Sequence, residues 1–289
     1  MKTSRFSYHL PKTVEEAVAI LAEVAPLDGR VLAGGQSLVP IMAFRLSRPA
    51  HLVDINEISE LKHMSIKNGR LCIGACVRHS AFTQPVVDGV LGKLLWTVVQ
   101  HIAHFPIRTR GTFCGSIAHA DPASEWCAVA VALGAEMVAC SVRGQRIIPA
   151  KDFFAGMMTT SLLEDELLIE VRLPILPADS RFGFDEFNRR AGDFALAMAL
   201  AVYRVEEGRI VEPRIVIGGA EPFPRRIAHA EESLVGQPSV LESFELASEA
   251  AARVIQPMED VQTSGEYRRA LVQAVTKRAL ERSLGRTNE

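Results

Sequence analysis

The sequence predicts an α+β fold: a short parallel β-α-β unit, a larger region mixing hairpins with helices, and an antiparallel three-stranded sheet closed by helices. Three observations predict it. Before residue 56, an amphipathic helix is followed by two strand-like apolar runs with a brief apolar helix between them. From residue 61 the apolar period shortens to two around tight turns. Beyond residue 180, three consecutive runs alternate apolar and polar side chains.

Thr13 and Glu16 form a capping box, and Val14, Ala17, Val18, Leu21 and Val24 recur at helical spacing, which predicts a helix over 13–25. Residues 30–33 follow as a short buried strand ending at Gly34-Gly35. Residues 38–46 suit a brief helix and 51–55 a second strand, an order that predicts neighbouring parallel strands. Asn68-Gly69 turns a hairpin between 61–66 and 71–77. Val90, Leu94, Leu95, Val98 and Ile102 mark a helix stopping before Pro106. Asp121-Pro122 is expected to open the next helix, running to Leu133 with proline at its first position. A second hairpin turns at Arg143-Gly144, and 166–173 is a further strand. The stretch 174–180, with two prolines and no periodicity, is the expected boundary. Past it, strands are expected over 182–189, 195–205 and 209–218; alternation of Leu196, Met198, Leu200 and Val202 outweighs the helical propensity of the alanines. Two helices close the chain, the last over 264–284 with Tyr267, Leu271, Ala274, Val275 and Leu284 on its buried stripe.

The 289 residues are 48% hydrophobic and 23% charged, a composition able to bury a core. A net charge of −2 supplies no basic field for nucleic acid. The apolar runs fall short of the ~20 residues that span a bilayer, and the N-terminus lacks the apolar core of a signal peptide. The five cysteines, 72, 76, 114, 127 and 140, are expected as reduced thiols in the cytoplasm. Cys72 and Cys76 share one face of a period-two strand and read as small buried thiols; no zinc or ferredoxin spacing follows, so no cluster is expected. His101 and His104, on one helical face, could be joined to His119 as a metal triad, but the helix is apolar and they read as core or boundary histidines.

Two glycine-bearing turns carry the chemistry. Leu32-Ala33-Gly34-Gly35-Gln36-Ser37-Leu38 follows a strand and precedes a helix, where backbone amides favour an anion. Gly34 and Gly35 let a pyrophosphate approach the main chain, and Ser37 adds a hydroxyl. The pattern is neither G-x-G-x-x-G nor a Walker loop, and by itself reads equally as a tight turn needing positive φ. Arg110 to Pro122 repeats the theme, with donors at Thr112, Gly115 and Ser116, and Glu125 a turn into the helix could accept from sugar hydroxyls. Glu125 alone reads equally as a first-turn acid favoured by the helix dipole. Two such turns flanking one elongated ligand favour a dinucleotide.

The pair Ala33-Gly34-Gly35-Gln36-Ser37 and Thr112-Phe113-Cys114-Gly115-Ser116 resembles the FAD-binding medium subunits of molybdenum hydroxylases, the xanthine dehydrogenase and carbon monoxide dehydrogenase flavoprotein family. Similarity continues through residues 116–125, Arg189–Ala195, Ile217–Pro222 and Ser264–Arg269, in order along the chain. The resemblance implies a two-part FAD-binding domain of the PCMH type, here 1–55 and 56–175, and a C-terminal flavoprotein domain over 176–289. It implies FAD with its diphosphate between the turns. Leu32 to Val39 (Leu32, Ala33, Gly34, Gly35, Gln36, Ser37, Leu38, Val39) would line the adenosine diphosphate. Thr112, Phe113, Cys114, Gly115, Ser116, His119 and Asp121 would surround phosphate or ribityl groups, and Glu125 a sugar hydroxyl. Leu168 would meet the adenine region, and Arg190 and Asp193 would stand near the flavin ring.

The implied role is electron transfer: a large subunit holds the molybdopterin cofactor and hydroxylates the substrate, a small subunit carries two 2Fe–2S clusters, and this chain's FAD passes electrons to an external acceptor. A dimer of such heterotrimers, without a transmembrane segment, is expected. No catalytic residue and no metal ligand are assigned to this chain. The family has glycine where Cys114 stands, and a β-carbon there would crowd the cofactor or shift the turn. Two other functions compete, a self-contained FAD oxidoreductase and a non-catalytic scaffold. The basic residues Arg268, Arg269, Lys277, Arg278, Arg282 and Arg286 read either as the solvated face of the last helix or as a partner contact.

Overall fold

The computed structural model describes residues 2–261 and 263–285. Strand β1 (Ser7–His9), helix α1 (Val14–Val24), strand β2 (Gly29–Leu32), helix α2 (Leu38–Ala43) and strand β3 (His51–Asp54) come first. Thr13 Oγ1 accepts from the Glu16 amide at 3.1 Å, and the Glu16 carboxylate accepts from the Lys12 amide at 2.7 Å, one residue earlier than in the usual capping box. β2 and β3 pair in parallel as expected, and β1 adds a parallel edge, giving the order β1-β3-β2. A three-residue edge strand is too short to show a period, which is why β1 escaped the sequence reading.

The Asn68-Gly69 turn, with φ of 50° and 70°, joins β4 (Met64–Lys67) to β5 (Arg70–Gly74). Then come α3 (Gly89–Val99), α4 (Phe105–Arg108), α5 (Phe113–His119), α6 (Glu125–Leu133), β6 (Glu136–Ser141), β7 (Gly144–Pro149), β8 (Phe154–Gly156), β9 (Thr159–Thr160) and β10 (Leu167–Pro174). β10 inserts between the two hairpins to complete an antiparallel sheet ordered β4-β5-β10-β6-β7.

Four local expectations are corrected here. The helix expected from Asp121-Pro122 starts at Glu125, because Asp121 Oδ1 accepts from the Ala123 amide at 2.9 Å and closes a turn ahead of it. The glycine- and serine-rich second turn is itself helical from Phe113, capped by Thr112. His101 and His104 share no helical face, since α3 ends at Val99 and His104 caps α4. Cys76 likewise lies beyond the end of β5, although all five cysteines are free and buried.

Strands β11 (Ser180–Phe187), β12 (Ala197–Glu206) and β13 (Arg209–Gly218) form the expected antiparallel sheet, extended by a two-residue edge strand β14 (Arg225–Arg226). Three helices follow rather than two: α7 (Ala228–Leu234), α8 (Leu241–Val254) and α9 (Gly265–Arg282). β12 is buried on both faces. Met198, Leu200 and Val202 join the core shared with the first two sheets, while Ala197, Ala199, Ala201 and Tyr203 join a second core under α7, α8 and α9. That two-sided burial favours a strand despite the alanines.

Tyr267, expected on the buried stripe, is 48% exposed; Arg268 is buried in its place. Arg268 donates to the Gly219 carbonyl and to Asp260, and Arg269 to the Ala252 carbonyl. Lys277 pairs with Glu245, and Arg278 and Arg282 face Asp185. The basic face is thus engaged within the chain; Arg286 lies outside the described residues. Among the described residues no helix is long and apolar enough to cross a membrane.

Candidate functional site

The two glycine-bearing turns touch. A β-carbon on Gly34 would lie 2.4 Å from the Arg110 carbonyl oxygen and 2.6 Å from the Gly111 α-carbon, so only glycine permits the approach. Polar side chains hold it. Asn56 Nδ2 donates to the Ala33 carbonyl at 2.7 Å, and Asn56 Oδ1 accepts from Arg78 Nη2 at 2.5 Å. Arg78 Nη1 donates to the Arg110 carbonyl. Asp54 fixes Asn56 by accepting from its amide at 2.9 Å and receives the Tyr8 hydroxyl at 2.6 Å, which pushes the Tyr8 pKa up to about 12.

A cavity of about 500 Å³ runs past both turns, within the ~300–1,000 Å³ of small-molecule sites. Of the residues expected to bind cofactor, Leu32, Ala33, Gly34, Gly35, Gln36, Ser37 and Leu38 line it on one side. Thr112, Cys114, Gly115, Ser116, His119, Asp121 and Glu125 line it on the other, with Leu168 and Asp193 also in its wall. Three do not. Val39 is exposed on α2, Phe113 is fully buried against Phe82 and Trp126, and Arg190 is exposed on the loop before β12.

Among the described residues the backbone amides of Gly34, Gly35, Gln36 and Ser37 donate to no protein acceptor. Gly35 adopts φ +70°, and successive amides in such a bend form an anion-binding concavity. In the second turn Thr112 Oγ1, itself buried, accepts from the Gly115 amide at 3.0 Å, and a β-carbon on Gly115 would stand 2.5 Å from that oxygen. The thiol of Cys114 turns into the core, 3.4 Å from the Ile73 carbonyl, and burial pushes its pKa up. The β-carbon expected to crowd a cofactor therefore carries a side chain packed under α5.

At the start of α6 the wall is polar. Ser124 Oγ is buried with no hydrogen-bond partner among the described residues. Glu125 is buried, 9% exposed, and its carboxyl pKa is pushed up to about 8 by burial, then by the charge of Glu186. At neutral pH Glu125 is mostly protonated and can donate as well as accept. Leu162, Leu167, Leu168 and Ile55 supply an apolar stretch of the lining. His101 stands 3.3 Å from Glu186, and no group of three metal-ligating side chains occurs among the described residues.

The sequence reading missed the parts that organise the cavity: Asn56, Arg78, His79 and Gly111, with Ile107 and Phe194 in the wall. One signal was present. Asp54-Ile55-Asn56 ends a parallel strand beside the first glycine turn, the edge at which ligands bind in open α/β sheets. Gly111 lies within the Arg110–Pro122 turn without being among the donors expected there, and it is the glycine that meets Gly34.

A family model described as the FAD binding domain in molybdopterin dehydrogenase matches residues 4–176, and one for the CO dehydrogenase flavoprotein C-terminal domain matches 182–283. The chain is 38% identical to caffeine dehydrogenase subunit beta of Pseudomonas sp. (strain CBB1), covering 99% of this chain and 97% of that protein. It is 36% identical to the nicotine 6-hydroxylase medium subunit of Paenarthrobacter nicotinovorans, covering 99% and 100%. A chain of the carbon monoxide dehydrogenase of Hydrogenophaga pseudoflava that lacks the Mo-pyranopterin moiety superposes with a TM-score of 0.94 at 35% identity, over 99% of both chains.

Proposed function

The chain belongs to the FAD-binding flavoprotein family of the molybdopterin dehydrogenases and is an oxidoreductase subunit, and from that premise we propose that it carries electrons within a heterotrimeric molybdenum hydroxylase. Its partners in this reading are a large molybdopterin subunit and a small 2Fe–2S subunit, assembled as a dimer of heterotrimers. Residues 1–55 and 56–175 are the two parts of a PCMH-type FAD domain, and 176–289 the C-terminal flavoprotein domain. Five unpaired, buried cysteines support a cytoplasmic location.

One observation carries the cofactor assignment: four consecutive amides, 34–37, with no acceptor among the described residues, line a cavity of about 500 Å³ between two turns in backbone contact. The residues present fit FAD. Gly34 to Ser37 would receive the diphosphate through main-chain donors. Ser124 Oγ and the Glu125 carboxyl would meet ribityl or ribose hydroxyls, and the apolar lining at Leu162, Leu167 and Leu168 suits the adenine. Asp193 and Phe194, from the loop before β12, would border the flavin ring, with Arg190 on the same loop. Bound FAD accepts and releases electrons singly or in pairs. The chain's own residues bind, orient and desolvate it, and none is required as a base for hydroxylation.

Anaerobic mixing of the FAD-loaded chain with the reduced small iron–sulfur subunit tests the proposal. Bleaching of the flavin absorbance is the expected result. Bleaching by an organic substrate added to this chain alone would instead identify a self-contained oxidoreductase, and a chain that takes up no FAD would be a scaffold.

A further inference from the structure

His79 is 96% buried (4% exposed) beneath the second turn, and its small exposed area belongs to the cavity wall. Trp126 Nε1 lies 2.9 Å from His79 Nδ1. An indole N–H can only donate, so Nδ1 is the acceptor and the remaining ring proton sits on Nε2. Burial, with the charges of Arg78 and Arg108, pulls the His79 pKa down to about 4, so the ring is neutral at physiological pH. The Nε2–Cδ2 edge packs on the Gly111 backbone: a β-carbon on Gly111 would stand 2.6 Å from Nε2. Among the described residues Nε2–H has no acceptor, and the nitrogen is open to the cavity instead of sealed in the core.

We propose that His79 is a cofactor-binding residue whose Nε2–H donates to an oxygen of the diphosphate–ribityl chain of FAD, with Trp126 fixing the tautomer that makes the donation possible. This rests on the FAD reading of the cavity. Trp126, the second residue of α6, thereby acts as a positioning residue: it leaves Nε2 as the only nitrogen that can carry the proton. Gly111 lets the ring edge lie against the turn, which accounts for glycine at a position whose φ is unexceptional.

The test uses the full chain labelled with ¹⁵N-histidine, titrated with FAD. Without FAD, His79 should show a bare Nδ1 and a protonated Nε2. On adding FAD the Nε2–H resonance should move, and its exchange with water should slow about tenfold or more, as for a donor gaining an acceptor. His79→Gln, whose amide reaches the position of Nε2, should bind FAD within about threefold of wild type, and His79→Phe should bind at least about tenfold more weakly. An Nε2–H resonance unmoved by bound FAD, or equal affinity in His79→Phe, would overturn the assignment and leave the FAD site standing. A wild-type chain that takes up no FAD would contradict the cavity reading itself. Should His79→Phe not fold, the wild-type spectra decide.

Discussion

Arg78 Nη2 lies 2.5 Å from Asn56 Oδ1, and through this pair the carbonyl of Ala33 in the first turn is tied to the carbonyl of Arg110 in the second. Neither Asn56 nor Arg78 lines the cavity, yet together they set its width. Asn56→Ala removes the bridge and strands the Ala33 carbonyl and the Arg78 guanidinium. It should destabilise the chain by ~1–3 kcal/mol in urea unfolding and weaken FAD binding roughly tenfold. Tyr8→Phe, losing one hydrogen bond to Asp54, should cost only ~0.5–1.5 kcal/mol.

Gly34→Ala places a methyl 2.4 Å from the Arg110 carbonyl oxygen and must push the turns apart. Overpacking of this kind costs ~1–3 kcal/mol. The melting temperature should fall, and the FAD content of the purified chain should fall with it; full FAD occupancy in Gly34→Ala would show that the contact between the turns does not govern binding.

Thr112→Ala removes the cap of α5, whose Oγ1 accepts from the Gly115 amide at 3.0 Å. A loss of ~1 kcal/mol is expected, with Thr112→Ser near wild type. Denaturant midpoints of the three proteins check this, since the serine variant restores the oxygen and not the methyl.

Glu125 makes the stability of the FAD-free chain depend on pH. Its folded-state pKa of about 8 lies above the 4.5 of an ordinary glutamate. Between those values the folded chain keeps a proton that the unfolded chain releases, so stability falls as pH rises through the window and the proton's contribution is gone above about 8. Glu125→Gln stays neutral throughout. Melting curves from pH 5 to 9 should show the variant gaining on wild type as pH rises; parallel curves would mean that Glu125 ionises normally.

Much of the fold was legible because its signals are local. The Thr13 cap, the Asn68-Gly69 hairpin and the alternation around Met198 act within a few residues, and each produced the element it predicts. The helix start at Glu125 was misread because proline in first-turn position competes with an Asx turn at Asp121, a contest decided by packing. Arg268 displaced Tyr267 from the buried face of α9 because a carbonyl from β13's end and Asp260, both distant in sequence, supply its partners. The glycine turns were legible as turns. Their closure by Asn56 and Arg78, and the His79–Trp126 pair beneath them, depend on residues brought together only by the sheet and aromatic core.

Equilibrium titration with FAD addresses the central claim most directly. The purified full-length chain, stripped of nucleotide and titrated with FAD, should bind one equivalent with quenching of flavin fluorescence, and a Gly34→Ala chain that remains folded should bind roughly tenfold more weakly or worse. A wild-type chain that binds no FAD at saturating concentration, or a folded Gly34→Ala chain that binds as tightly as wild type, would contradict the account.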